Sequence, residues 1–149
     1  MKNLIYLSFL LLGVLLVSCG DVEPQIGEIA EDFTLVGTWN FETVEGDGQI
    51  GGIPTNDKDN NPTGFVTFNE DGTGVLDFRL VLLGREFVEL DNITWSRDSE
   101  TEVTIVEGDN GDINEWTLIR GNDGLVEASW VLNLTAVDFA TFTAVLTRE

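Results

Sequence analysis

Residues 64–82 read GFVTFNEDGTGVLDFRLVL, and this stretch decides the fold. In its second half Leu76, Phe78, Leu80 and Leu82 fall on one parity, with Asp77 and Arg79 on the other. Period-two alternation is what a strand with one buried and one solvated face requires, whereas a helix would place its apolar residues three and four apart. Between the halves stands Glu70-Asp71-Gly72, where the Asp-Gly pair can take the positive φ of a tight hairpin. The stretch therefore predicts two antiparallel strands joined by a short turn.

The same grammar extends in both directions. Bursts rich in Val, Thr, Phe and Trp occupy residues 35–43, 64–69, 74–82, 86–95, 102–106, 115–120, 126–132 and 139–148, eight candidate strands in all. Most joins carry turn chemistry: Gly84-Arg85, Asp109-Asn110-Gly111 and Gly121-Asn122-Asp123-Gly124. In the seventh burst Val126, Ala128, Trp130 and Leu132 share a face, opposite Glu127 and Ser129. Eight hairpin-linked strands can curl until the first meets the last, which removes exposed sheet edges. The expected class is all-β, an antiparallel up-and-down eight-stranded barrel, with a two-sheet β-sandwich as the alternative giving the same alternation. One join is long: residues 45–63 (EGDGQIGGIPTNDKDNNPT) read as a flap carrying Ile50 and Ile53, or as a disordered loop.

Charge and composition exclude several functions. Against 27 acidic side chains stand 7 basic ones, a net charge of −20, which repels nucleic acid and anionic headgroups. No histidine is present, so serine-histidine, cysteine-histidine and histidine-metal chemistries are absent. A single cysteine forms neither an internal disulfide nor a zinc-thiolate cluster. Residues 46–51 match G-x-G-x-x-G, but no helical pattern follows and Glu45 and Asp47 would oppose a pyrophosphate. Asp57, Asp59 and Asn61 open like a calcium loop, yet Pro62 stands where an EF-hand needs glycine and Phe68 where it needs glutamate. No metal site, no cofactor and no enzymatic activity are expected.

The first 18 residues, a short positive start followed by an apolar run ending Leu16-Val17-Ser18-Cys19, read as a signal peptide. Small residues before a cysteine at that position resemble the bacterial lipobox, which implies lipidation of Cys19, palmitate among the acyl chains, and attachment to a membrane. Gly20 after the cysteine resembles the outer-membrane sorting pattern of bacterial lipoproteins. Residues 19–32, acidic and containing Pro24 and Gly27, read as a flexible tether, and residues 33–149 as the barrel domain.

Gly37-Thr38-Trp39 at the first strand, together with Arg148 near the end of the last, resembles the lipocalin pattern. More specifically, LVGTWNF (35–41), GFVTFNEDGTG (64–74), ITWS (93–96) and FTAVLTR (142–148) resemble the lipocalin-like domain of small Bacteroidetes lipoproteins. The resemblance implies that Trp39 plugs one end of the barrel with Arg148 packed across its ring, and that the loop after the first strand is a lid. It further implies binding or carriage of a small apolar ligand, for which Phe78, Phe87, Trp95, Trp116 and Trp130 are the candidate contacts. Two departures, no Thr-Asp-Tyr motif and no helix after the last strand, leave a filled, ligand-free interior open. In that case the barrel is a scaffold or adhesion module of an envelope protein complex.

Overall fold

The structure, a computed structural model, describes residues 29–50, 53–82, 84–108, 111–133 and 139–149. Nine strands follow in order: β1 (Gly37–Ile50), β2 (Ile53–Asp59), β3 (Thr63–Phe68), β4 (Thr73–Leu82), β5 (Arg85–Arg97), β6 (Glu102–Glu107), β7 (Ile113–Asn122), β8 (Leu125–Asn133) and β9 (Phe139–Arg148). No helix occurs among the described residues, and none there is long and apolar enough to cross a membrane.

Every neighbouring pair from β3 to β9 is antiparallel, and β1 pairs with both β3 and β9. The β1–β9 ladder runs from Trp39↔Arg148 to Gln49↔Phe139 and closes the sheet on itself. The result is a closed eight-stranded antiparallel barrel, and the two-sheet alternative is excluded. The strands anticipated from period-two alternation coincide with eight of the nine observed.

The ninth, β2, corrects the reading of residues 45–63. β1 continues to Ile50, and β2 pairs back along it from Ile50↔Ile53 to Val44↔Asp59. β2 and β3 thus lie end to end along the same flank of β1, separated by Asn60, Asn61 and Pro62. The segment is a ribbon, not an unstructured flap, and Ile53 points into solvent with 66% of its surface exposed. The calcium-like string is dismantled in the same way, for Asp57 and Asp59 are strand residues. Asp59 accepts hydrogen bonds from the backbone N–H groups of Asn61 (2.9 Å) and Val81 (2.8 Å), tying β2 to the end of β4.

Two register shifts set which side chains point inward. Between Phe41 and Thr43 the β1–β9 register slips, so that Trp39 and Phe41 face inward before the slip and Val44 and Gly46 after it. A second slip between Leu118 and Arg120 keeps Trp116, Leu118 and then Gly121 inside. The inward set forms one core, including Val44, Val66, Phe68, Val103, Ile105, Leu118, Val126 and Leu146. Burying each such apolar side chain contributes about 1.5–3 kcal/mol relative to leaving it in water.

The two ends of the barrel differ. At one end Ile29 bridges Gly121 in parallel, Ala30 N–H donates to the Gly121 carbonyl (3.0 Å), and Phe33 lies buried beneath the strands. The ordered domain thus takes in Ile29 and Ala30, which the sequence reading assigned to the tether. Cys19 and the leader lie outside the described residues. The other end, where β1 meets β2, β4 meets β5 and β6 meets β7, carries the candidate site.

Candidate functional site

The closed floor is built from Trp39, Arg148, Phe33 and Arg97. Trp39 is 1% exposed and its Nε1–H donates to the Leu35 carbonyl at 2.7 Å. Arg148, its direct partner in the β1–β9 register, sets its guanidinium carbon 4.5 Å from the Trp39 ring centroid and donates to the Thr34 carbonyl (2.8 Å). Gly37 adopts φ of 137°, a conformation that side-chain-bearing residues rarely take, directly beneath this guanidinium. Arg97 covers the outer face of Phe33 at 5.4 Å and donates to the Phe33 carbonyl (3.1 Å). The floor is therefore two cation–π pairs whose rings, Phe33 and Trp39, meet at a tilt of 58°, each cation also fixed by a backbone carbonyl. It reads as a structural element.

Above the floor, in the opposite half, the barrel holds a cavity of ≈ 290 Å³. That is close to the lower limit of cavities that take small molecules. Its apolar wall includes Phe78, Phe87, Ile105, Trp116, Trp130 and Phe142. Trp116, Trp130 and Phe142 are successive partners across β7, β8 and β9, and their rings form a continuous stack with centroids 4.8 and 5.6 Å apart. Phe87 meets Phe142 edge-on at 5.9 Å. Small inward residues at the next level, Ala128 opposite Ala144, separate this layer from the floor.

Trp95 does not belong here. It sits near the floor, packed edge-on against Phe68 (5.2 Å), with Nε1–H shared between the Asn69 and Thr73 carbonyls (3.1 Å each). Its place among the candidate ligand contacts is thus corrected: as an inward residue near the far end of β5, it secures the β3–β4 turn. The other four candidates, Phe78, Phe87, Trp116 and Trp130, all border the cavity. Of the candidate lid residues, both at the β1–β2 strand ends, Ile53 is exposed and does not border the cavity, and the Ile50 side chain lies outside the described residues.

Three inward-facing polar side chains share the described lining, Glu89, Glu107 and Asn114, and Glu86 borders it from the outer face. Glu107 is 8% exposed, and the Asn114 amide Nδ2–H donates to its Oε1 at 2.6 Å. The β6–β7 hairpin fixes the Glu107 backbone through Glu107 N–H to the Asp112 carbonyl and Gly111 N–H to the Glu107 carbonyl, both 2.9 Å. Asp91, 6% exposed, stands two residues from Glu89 on the same face of β5, and one carboxylate oxygen from each of Glu89, Asp91 and Glu107 lies within 4.8 Å of the other two. Burial, reinforced by repulsion from Glu107, Asp91 and Asp112, pushes the Glu89 carboxyl above the ordinary glutamate range. Such an arrangement favours a cation electrostatically, for desolvated carboxylates that repel each other gain most from a positive charge placed among them.

Composition and apolar periodicity did not single out these acids. A signal was nonetheless present: Glu89 and Asp91 fall on the parity of Phe87, Ile93 and Trp95, and Glu107 on that of Val103 and Ile105, so each is an acid written into an inward register.

Access comes from an uneven wall. β6 pairs with β5 only from Ile93↔Glu107 to Arg97↔Val103, so the mouth-side half of β5 runs past the β6–β7 hairpin. Among the described residues, one hydrogen bond, Gly108 N–H to the Asn92 carbonyl (2.7 Å), ties that hairpin to this part of β5. Glu86 and Val88, which face outward, also border the cavity, so it emerges beside this edge.

No protein-family model and no curated protein matches the sequence. A solved structure does show similarity. It is the solution NMR structure of protein lipocalin 12 from rat epididymis, with a TM-score of 0.49 at 10% identity, covering 89% of this chain and 77% of that one. The closed barrel described above rests on its own strand registers.

Proposed function

We propose that this chain is a lipid-anchored bacterial envelope protein, without enzymatic activity, whose barrel binds a small, largely apolar molecule. The observation that carries the binding reading is the cavity of ≈ 290 Å³, walled by the Trp116–Trp130–Phe142 stack and open beside β5. Concave, mainly aromatic sites with few, placed polar groups are the usual form of a small-molecule pocket. The anchoring reading rests on the lipobox-like Leu16-Val17-Ser18-Cys19 behind an apolar leader. Acyl chains on Cys19, burying methylenes at about 0.8 kcal/mol each, would hold the protein on the outer membrane.

Native mass spectrometry of the protein extracted from cells, with titration of tryptophan fluorescence by small neutral aromatics and quinones, tests the binding half. A bound species, or saturable quenching lost in Trp116→Ala, supports it, and an inert interior overturns it. Labelled palmitate that enters the wild type but not Cys19→Ala supports the anchor, and carbonate-resistant membrane pelleting of Cys19→Ala overturns it.

A protein partner in an envelope complex is the second reading. Val81, Val88 and Leu90 favour it, for they are 52%, 56% and 71% exposed on the outer face of the β4–β5 hairpin. In-cell crosslinking through that hairpin, coupled with empty purified barrels, would select it over the first.

A further inference from the structure

The cavity has an unusual combination of linings. One side is a stack of aromatic rings, Trp116, Trp130 and Phe142. The other carries Glu89 and Glu107, with a third carboxylate, Glu86, at its outer edge, and among the described lining residues there is no lysine or arginine. A guest with a carboxylate head, such as a fatty acid, would add a further negative charge beside Glu89 and Glu107, where the described lining supplies no cation. A neutral guest would leave the two acids as they stand in the empty barrel, close together and partly desolvated. A guest bearing a positive head relieves that repulsion and gains charge-assisted hydrogen bonds as well.

We propose that the barrel binds an amphiphilic organic cation, a protonated amine on a compact apolar or aromatic body. The ammonium sits between Glu89 and Glu107, and the body lies against the Trp116–Trp130–Phe142 stack. This rests on the reading of the cavity as a ligand site and names the ligand's chemical class.

Four observations converge on it. An ammonium offers only donors, and the two carboxylates offer only acceptors. Asn114 donates to Glu107 at 2.6 Å, which fixes the direction of that carboxylate at the cavity wall. Aromatic faces attract cations as well as apolar bodies, so the wall tolerates the head while it passes. The protein's net charge of −20 concentrates cations at its surface and repels anions, which favours entry of the proposed class over its acidic counterparts. Asp91, whose carboxylate lies within 4.8 Å of both, and Asp112 add to the negative potential at Glu89. Alkylamines are fully protonated at neutral pH, as lysine is, so the head arrives charged.

The experiment is a matched titration of the full chain at pH 7, read by tryptophan fluorescence and calorimetry. 2-Phenylethylamine, 2-phenylethanol, 3-phenylpropionate and calcium chloride are the probes. The amine is expected to bind at least about tenfold more tightly than the alcohol, with the acid weakest, because charged hydrogen bonds exceed neutral ones. Glu107→Gln and Glu89→Gln are each expected to remove about tenfold or more of the amine's affinity while leaving the alcohol's unchanged. Two variants are used so that a folding defect in one, checked by circular dichroism, leaves the other to decide. Equal binding of amine and alcohol in wild type and variants overturns the cation proposal while the cavity reading stands. Absence of binding by all three organic probes overturns both. Binding of calcium alone, abolished by the same substitutions, overturns the organic-cation proposal in favour of a metal ion.

Discussion

Replacing Trp39 by phenylalanine should cost about 2–5 kcal/mol while leaving the cavity untouched. The substitution removes Nε1–H, whose hydrogen bond to the Leu35 carbonyl is 2.7 Å long and wholly buried. Leu35 is 2% exposed, so no water replaces the lost donor, and an unsatisfied buried carbonyl costs about 1–3 kcal/mol. Shrinking the indole to a phenyl ring at a site 1% exposed removes a further ~1–2 kcal/mol of burial and contact. Arg148, 4.5 Å above the ring, then meets a weaker π-face, a loss of a few tenths of a kcal/mol or about that. Against a total stability of about 5–15 kcal/mol, this is a large fraction. The assay is urea unfolding followed by the fluorescence of the remaining tryptophans, Trp95, Trp116 and Trp130. With a slope of about 1–3 kcal/mol per molar, the midpoint should fall by about 1 M or more at unchanged slope. A fall of less than about 0.3 M would show that the floor is not the stabilising plug described here. A parallel loss of ligand binding at low urea would show that floor and cavity are one unit.

Gly121→Ala should destabilise by about 1–3 kcal/mol, because the added Cβ meets three atoms of the Phe33 ring at 3.0–3.1 Å and that ring is held between Trp39 and Arg97. Thermal melting checks it, and an unchanged midpoint would refute the packing. Glu89→Gln should stabilise the empty protein at pH 7. The folded state raises the Glu89 carboxyl above its ordinary value, so its contribution is intact below about pH 4.3 and is lost as the pH rises through the raised value. The gain from the substitution should accordingly vanish in melts at acidic pH, and a gain that grows on acidification would reverse the argument. Amides of β2 should exchange with deuterium faster than those of β3, since β2 pairs with β1 alone whereas β3 lies between β1 and β4. Equal protection in the two strands by mass spectrometry would contradict this.

How much of this could be read from the residues depends on what each segment buries. Strands whose inward positions are Leu, Val, Phe or Trp announced themselves, because burial selects a period-two pattern, as in Leu76, Phe78, Leu80 and Leu82. The β1–β2 ribbon was silent. Gly46, Gly48, Pro54, Asn56 and Asp57 lie in a ladder held by backbone hydrogen bonds with few apolar side chains to bury, and those residue types read as loop. The slips at Phe41/Thr43 and Leu118/Arg120 shift the inward parity within a single strand, so simple alternation loses count there. Of the site, the aromatic wall was partly legible through Phe78, Phe87, Trp116 and Trp130, but parity alone assigns Trp95 to the same interior without saying at which height. Height along the axis follows from the registers. The carboxylates were hidden by abundance, for among 27 acids the few that matter differ only in their parity.

The point at which the chain enters the barrel fixes its stance. Ile29 and Ala30 are stitched to Gly121 beneath Phe33, at the sealed base and as far as the molecule allows from the aromatic chamber. A lipid on Cys19 would therefore pull on the barrel from its base, at the end away from the rim.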